Sequence, residues 1–277
     1  MKKWILEEGY VDCHVHLADS RISADLAAIL ARARAQGIHN FSLAGVDPSD
    51  WARSQLLADR EKGIFPSFGM HPYFVAKAGV EECEAALELL EQKLPQALAL
   101  GECGLDFRTV HLGQEPESAK AKQRLFFERQ LEMAKRARKV PILHVVRAHS
   151  EALNCLVDRT ERGYLLHSFH AEIETSRRHL DRGAYLSVSG SLLRKGAHRL
   201  EDSIRNAPME RILLESDAPD QHPDPTLGAV NEPTTILLVA KRIAELKKSS
   251  EEKVLEQARD NFRELFRTEF IEGIAPK

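Results

Sequence analysis

An α/β fold, a single (β/α)8 TIM barrel spanning residues 1–277, is the architecture this sequence predicts. Three observations carry that expectation. Eight short apolar runs recur along the chain, and each is followed by a helical pattern. No linker, low-complexity tract or second composition regime divides the 277 residues, a length that suits one barrel-type domain. Several of the apolar runs end in His, Glu or Asp, and the C-terminal rim of barrel strands is the reactive face of such folds.

The first strand rests on Val11-Asp12-Cys13-His14-Val15-His16. Residues i and i+2 of a strand share a face, so His14 and His16 point to one side while Cys13 and Val15 pack on the other. Ser23 caps a helix with apolar positions at Leu26, Ile29, Leu30 and Ala33, and Gly37 ends it. Ile38 to Val46 is the second strand, and Ser49 or Asp50 opens a helix through Trp51 and Leu57 to near Gly63. Ile64 to Met70 is the third strand, closed by Gly69-Met70-His71-Pro72, and Glu81 to Leu94 is an acidic amphipathic helix stopped before Pro95. Ala97 to Gly101 is the fourth strand and runs into Gly101-Glu102-Cys103-Gly104-Leu105-Asp106-Phe107.

A long helix covers Ser118 to Arg138, followed by the fifth strand, Val140 to Val146, which carries His144. Helix Ser150 to Arg162 leads to the sixth strand, Tyr164 to His167, and helix Glu172 to Arg182 to the seventh, Ala184 to Gly190. A helix over His198 to Asn206 precedes the eighth strand, Arg211 to Asp217, and helices Pro233 to Leu246 and Ser250 to Phe270 finish the barrel.

Composition narrows the function classes. A formal net charge of −3 gives no global basic field, so attraction for a phosphodiester must come from local cations or bound metal. No apolar run approaches the roughly 18 residues of a membrane span, and the N-terminal stretch meets Glu7 and Glu8 too early for a signal peptide. Cys13, Cys83, Cys103 and Cys155 show no C-x-x-C spacing and read as reduced core thiols of a cytoplasmic protein. Twelve histidines exceed what a core needs, with His179 and His198 placed on exposed helical patterns.

Six metal-capable side chains lie at one end of their strands: His14, His16, Glu102, His144, His167 and Asp217. Four imidazoles and two carboxylates exceed the demand of one tetrahedral catalytic ion, which argues for two divalent ions (Zn, Mg or Mn) about 3.5–4 Å apart. Glu102, with two oxygens to share, is the natural bridge; His14, His16 and Asp217 hold one ion, His144 and His167 the other. A metal-activated water then attacks an electrophilic phosphorus or carbon, and Asp217 is placed to take its proton as well as to bind metal. No G-x-S-x-G elbow, P-loop or G-x-G-x-x-G occurs.

Other residues admit two readings. His71 either bonds a scissile phosphate or leaving group, which would make it catalytic beside Asp217 and Glu102, or orders the Pro72 turn. Asp106 steers a ligand histidine or caps the following loop. Arg194 and Lys195 neutralise a phosphate or are solvated loop charges, and Phe169 is a pocket or core residue more than a stacking platform.

The set Asp12-x-His14-x-His16, Gly69-x-His71-Pro72, Gly101-Glu102-x-Gly104-Leu105-Asp106, His144, His167-x-Phe169 and Glu215-Ser216-Asp217-Ala218-Pro219 resembles the TatD family of metal-dependent hydrolases, in order and spacing, from about residue 9 to the last helix. The resemblance implies an amidohydrolase-like barrel of the metal-dependent hydrolase type, divalent metal at the six residues named, and deoxyribonuclease activity, often 3′ to 5′ exonucleolytic. It also matches Asn231-Glu232-Pro233 to the family's N-x-P turn. Two positions depart from the pattern. The family's H-x-R places its arginine where Val146 stands, and alternation would turn Arg147 to the other face; the glycine of H-x-F-x-G is Ala171.

The function expected is therefore a metal-dependent hydrolase of the TatD type, a deoxyribonuclease cleaving phosphodiester bonds at DNA ends with a two-metal site. The alternative chemistry is hydrolysis of an amide, lactone or aminoacyl ester by the same ions, since fold does not fix substrate; the phosphodiester is favoured by Arg108, Arg147, Arg194 and Lys195 near the rim loops. A metal-loaded scaffold without activity would lack a ligand, and none is missing. Nothing in the sequence calls for a membrane, an obligate protein partner or more than a monomer.

Overall fold

The computed structural model describes residues 3–160, 162–224 and 230–270. Met1 and Lys2, and Glu161 within the predicted 150–162 helix, lie outside the described residues. Eight parallel strands form one sheet in sequence order: β2 (Tyr10–Val15), β3 (Ile38–Gly45), β4 (Ile64–Phe68), β5 (Leu100–Asp106), β6 (Pro141–Val146), β7 (Tyr164–Leu166), β8 (Ala184–Val188) and β9 (Ile212–Leu214). Just past the end of β9, Asp217 N donates to the His14 carbonyl at 3.1 Å and His16 N to the Ala218 carbonyl at 2.8 Å, bringing the first and last strands together. This is the predicted TIM barrel.

The helices follow their strands: α1 (Leu26–Ala35), α2 (Pro48–Arg60), α3 (Pro72–Lys77), α4 (Val80–Lys93), α5 (Thr109–Leu112), α6 (Pro116–Ala137), α7 (His149–Cys155), α8 (Ile173–Leu180), α9 (His198–Asn206), α10 (Thr235–Lys247) and α11 (Glu251–Phe266). Helix starts follow ordinary capping chemistry: Asp47 accepts from Asp50 N ahead of α2, and Ser250 accepts from Lys253 N ahead of α11. Ser23 does not cap α1. Its hydroxyl donates to the Ser20 carbonyl, and the N-cap is Asp25, two residues later than predicted, so that α1 begins at Leu26.

Two apolar regions divide the interior. Between strands and helices, Val15, Phe41, Phe68, Leu105 and Leu186 pack against Ile29, Trp51, Leu87, Phe126 and Leu131. A second cluster joins Val11, Cys13, Phe65, Ile142, Leu165, Tyr185 and Leu213, which come from six strands and meet only inside the barrel. Trp4 and Leu6 belong to that cluster, and Leu6 lies in a short strand, β1 (Ile5–Leu6), paired with β10 (Glu269–Phe270). The barrel interior is thus filled with hydrocarbon except near its C-terminal end, where the polar residues gather.

Several sequence expectations change. The fourth strand runs from Leu100 to Asp106, not from Ala97 to Gly101, so Glu102 sits inside a strand and not beyond one. Cys13 and Val15 do not share a face: a register shift between Asp12 and Val15 puts Cys13 in the inner cluster and Val15 in the outer. His179 is fully buried rather than exposed, because Tyr164 and His149 both face its ring, whereas His198 is exposed. Helices α3 and α5, and the strands β1 and β10, have too few residues to show a period.

Gly104 sets how close β5 and β6 can come. Its φ is +144°, and a Cβ there would stand 2.0 Å from the His144 carbonyl oxygen, a backbone atom already fixed in the sheet. Gly104→Ala is expected to lower the unfolding free energy by about 3 kcal/mol or more. A urea midpoint within error of the wild type would show that β5 can yield there.

Candidate metal centre

The mouth of the barrel opens into a cavity of about 1360 Å³ whose floor includes His16, His71, Glu102, His144, His167 and Asp217. Each floor residue arrives from its own strand: β2 carries His14 and leads into His16, β5 carries Glu102, β6 carries His144, and His71, His167 and Asp217 follow β4, β7 and β9. All six residues marked in the sequence as ligands are brought to one place.

The two oxygens of Glu102 face different partners. Oε2 stands 3.4 Å from His14 Nε2 and 3.8 Å from His16 Nε2; Oε1 stands 2.7 Å from His144 Nδ1, 3.3 Å from His71 Nε2 and 3.5 Å from His167 Nε2. Asp217 Oδ1 completes the first set, 3.6 Å from His14 Nε2 and 3.3 Å from His16 Nε2. Two donors each about 2.1 Å from a tetrahedral ion stand roughly 3.4 Å apart, so the spacings of 3.3 to 3.8 Å suit ligands of a common ion, whereas His144 Nδ1 at 2.7 Å is hydrogen-bonded to Glu102 Oε1. His14 bears this out, because neither of its ring nitrogens makes a hydrogen bond although the side chain is fully buried. A buried imidazole without a partner is costly, and an ion at Nε2 would remove half of that deficit. Three groupings of ligand atoms are compact enough for an ion: His14 with His16 and Glu102, His14 with His167 and Asp217, and His71 with Glu102 and His144.

The far nitrogens of the other imidazoles are pinned from behind. His16 Nδ1 lies 3.1 Å from the Ala44 carbonyl, His167 Nδ1 3.1 Å from Glu215 Oε1, and His144 Nε2 3.1 Å from Asp106 Oδ2. Each partner is an acceptor, so each of those nitrogens keeps a proton, and the neighbouring nitrogen, toward the floor, is the one an ion would take once its own proton is displaced. His71 is built the other way. Its Nδ1 accepts from Tyr73 N at 3.0 Å and caps α3, which leaves the proton on Nε2. A neutral His71 in that tautomer turns an N–H, not a lone pair, toward the cavity. Of the two sequence readings of His71, the ordering of the Pro72 turn by Nδ1 is observed, while Nε2 faces the site 3.3 Å from Glu102 Oε1. Asp106 does both of its expected tasks, accepting from Arg108 N at 2.9 Å while orienting His144.

Protonation follows from this crowding. Burial alone would lower His16, but Asp217 and Glu102 outweigh it and raise the ring to about 9. Burial opposes His167 in the same way, yet Glu215, Glu102 and Asp217 lift it to about 10. His144 is raised between Asp106 and Glu102 despite its burial. His71 is lowered to about 4, chiefly by burial, and His14 is lowered by burial and by His167, whose ring stacks on it at 3.7 Å. Glu102 is held well below the carboxylate range: burial would raise it, but the imidazoles of His167, His71, His14 and His144 surround it.

Glu215 is the residue the sequence reading quoted without giving a role. Fully buried, it accepts from Ser168 N at 2.7 Å and Ser187 Oγ at 2.5 Å while holding His167. Its spacing two residues before Asp217, at the end of an apolar strand, was the available signal. Asp12 links the barrel's two ends, accepting from His14 N, Ser216 N and Ser216 Oγ, and burial raises it to about 8. Asn231 clamps the segment after β9 by donating to the Ser216 and Asp220 carbonyls. Arg147 corrects the expectation from alternation: with φ at +54° it leaves the strand pattern and lines the cavity with Arg108, Arg194 and Lys195. Arg194 donates to the His222 carbonyl and Arg108 pairs with Asp106. Phe169 is buried in the core.

A family model described as TatD related DNase matches residues 11–267. Over 265 residues the chain is 31% identical to the 3′-5′ ssDNA/RNA exonuclease TatD of Klebsiella pneumoniae, covering 92% of this chain and 97% of that protein. It is 28% identical to the metal-dependent hydrolase YabD of Bacillus subtilis, covering 92% and 98%. The crystal structure of YjjV, a TatD homologue from Escherichia coli K12, superposes with a TM-score of 0.84 at 26% identity, covering 94% of this chain and 98% of that one.

Two measurements test the centre. His16 and His167, raised to about 9 and about 10, each hold a proton at neutral pH that an ion must displace; affinity therefore rises with pH until the rings are bare. Chelator competition is expected to show divalent-ion affinity climbing between pH 6 and 9, while the metal-free protein loses stability progressively as pH rises from 6.5 to about 10. A flat affinity profile would contradict the assignment. Glu215→Gln is expected to weaken ion binding by about tenfold to a hundredfold, read by the same competition; unchanged affinity would remove Glu215 from the centre.

Proposed function

The chain belongs to the TatD related DNase family, and from that premise we propose that it is a deoxyribonuclease that hydrolyses phosphodiester bonds at DNA ends with two divalent ions. One observation carries the reading: the two Glu102 oxygens are shared out between two separate sets of imidazoles. His14, His16 and Asp217 with Glu102 would hold one ion, and His144 and His167 with Glu102 the other. When bound, zinc, magnesium or manganese supplies a water of lowered pKa and absorbs the charge that develops on the phosphoryl oxygens.

The residues of the chain do the rest. Asp217 accepts the proton of the attacking water as the new oxygen–phosphorus bond forms and the ester bond to the departing oxygen breaks. His71, neutral with its proton on Nε2, donates a hydrogen bond to the scissile phosphate or its leaving oxygen. Arg147, Arg194 and Lys195 line the cavity and offer individual cations to a phosphate, beside Arg108, which pairs with Asp106. Support for DNA as substrate comes from the Klebsiella exonuclease and from the human relative, deoxyribonuclease TATDN3, 28% identical over 265 residues. The same reading takes the chain as one domain and a cytoplasmic monomer. Four buried cysteines without a disulfide support the compartment, and among the described residues no helix is long and apolar enough to cross a membrane.

The purified protein is expected to shorten single-stranded oligodeoxynucleotides, to stop when chelated, and to recover on addition of magnesium, manganese or zinc. Glu102→Ala and Asp217→Asn should each cost at least about a thousandfold in rate. Cleavage that survives chelation, or turnover confined to a panel of lactones, amides and aminoacyl esters, would overturn the assignment.

A further inference from the structure

Behind the cavity wall lies a polar chain that the metal centre does not use. His149, at the start of α7, lines the cavity, and its Nδ1 stands 3.0 Å from Nε2 of His179. His179 Nδ1 is in turn 2.8 Å from the Tyr164 hydroxyl, which also lies 3.3 Å from the His179 carbonyl. Both His179 and Tyr164 are completely buried. Among the described residues no hydrogen bond from the protein engages His149 Nε2, the ring nitrogen left for the cavity. We propose that His149 is a positioning residue that presents a neutral N–H to a phosphate oxygen of the substrate, and that Tyr164 and His179 decide which of its nitrogens carries the proton.

The proton count explains the arrangement. Each neutral imidazole has one N–H, and the phenol has one O–H. If the hydroxyl donates to the His179 carbonyl, it accepts from Nδ1, His179 Nε2 is bare, His149 Nδ1 carries the proton and the cavity meets a bare nitrogen. If the hydroxyl donates to His179 Nδ1, then Nε2 of His179 donates to His149 Nδ1, and the cavity meets an N–H. The 2.8 Å contact between the hydroxyl and Nδ1 is kept in both settings, and because the His179 carbonyl already accepts from Arg182 N at 3.0 Å, the second leaves no buried group unpaired. A phosphodiester offers only acceptor oxygens, so it selects the second setting. Neutrality is enforced by burial: His149 is lowered to about 4, by desolvation and then Arg178, and His179 to about 3, by desolvation and then His149. A neutral donor can hold a phosphate oxygen without adding to the repulsion between cationic groups and the ions.

This inference rests on the phosphodiester reading above, so the experiment has one arm that needs no substrate. Histidine-labelled, metal-free protein is examined by imidazole 15N NMR, and the manganese-loaded enzyme is assayed with a single-stranded oligodeoxynucleotide. His149 is expected in the Nε2–H form in the wild type and in His179→Gln, whose amide nitrogen donates from the place of His179 Nε2, and to lose that preference in His179→Phe. His149→Ala and His179→Phe are each expected to raise KM about tenfold, the worth of a well-placed hydrogen bond, with kcat changed less than about twofold, and His179→Gln to restore KM. A His149 tautomer that ignores residue 179, or a KM unmoved by His179→Phe, would overturn the relay and leave the buried cluster a packing feature. If the wild type cleaves no oligonucleotide, the phosphodiester reading and the phosphate contact fail together, while the NMR arm still decides whether Tyr164 and His179 set the tautomer.

Discussion

A buried carboxylate among imidazoles is the constraint on which this molecule turns. Glu102 has almost no contact with solvent, and its charge is tolerable only because His14, His16, His71, His144 and His167 all stand within 4 Å of its oxygens. Those histidines come from four other strands or strand ends, so the carboxylate ties the barrel together at its mouth. The backbone makes room for this. Gly101 and Gly104 flank the residue with φ values of +145° and +144°, and side chains there would collide with Ile142 and the His144 carbonyl. The glycines are part of the site although they contribute no ligand atom.

Around this centre, the chain fixes ring orientation from behind. A carbonyl holds His16, and carboxylates hold His144 and His167, so the nitrogens that face the floor are the ones free to give up a proton to an ion. His71 differs by a single hydrogen bond, the one Nδ1 accepts from Tyr73 N, and in the neutral ring that bond leaves an N–H, not a lone pair, facing the site. The distinction follows from local helix capping and not from the distance to Glu102. Below the floor, the inner cluster of Val11, Phe65, Ile142 and Leu213 fills the barrel and keeps the polar set at one end.

Much of this was legible in the sequence because barrel geometry converts strand order into spatial order. Once eight apolar runs are recognised, residues as far apart as His14 and Asp217 must meet at the same rim. The failures have physical causes. Cys13 was assigned the wrong face because a bulge breaks the two-residue period, and Arg147 because a left-handed residue ends the strand. His179 looked exposed because a short helix with Arg177 and Arg178 beside it reads as solvated, whereas the tyrosine and histidine that bury it come from other elements. Glu215 lay in plain view, but nothing in a sequence separates a carboxylate that binds metal from one that braces a ligand.

Anomalous diffraction from crystals of the manganese-loaded protein addresses the central claim most directly. Two peaks are predicted, one beside Glu102 Oε2 with His14, His16 and Asp217, the other beside Glu102 Oε1 with His144 and His167, and none on His71. A single peak, or a pair in which Glu102 touches only one ion, would contradict the account.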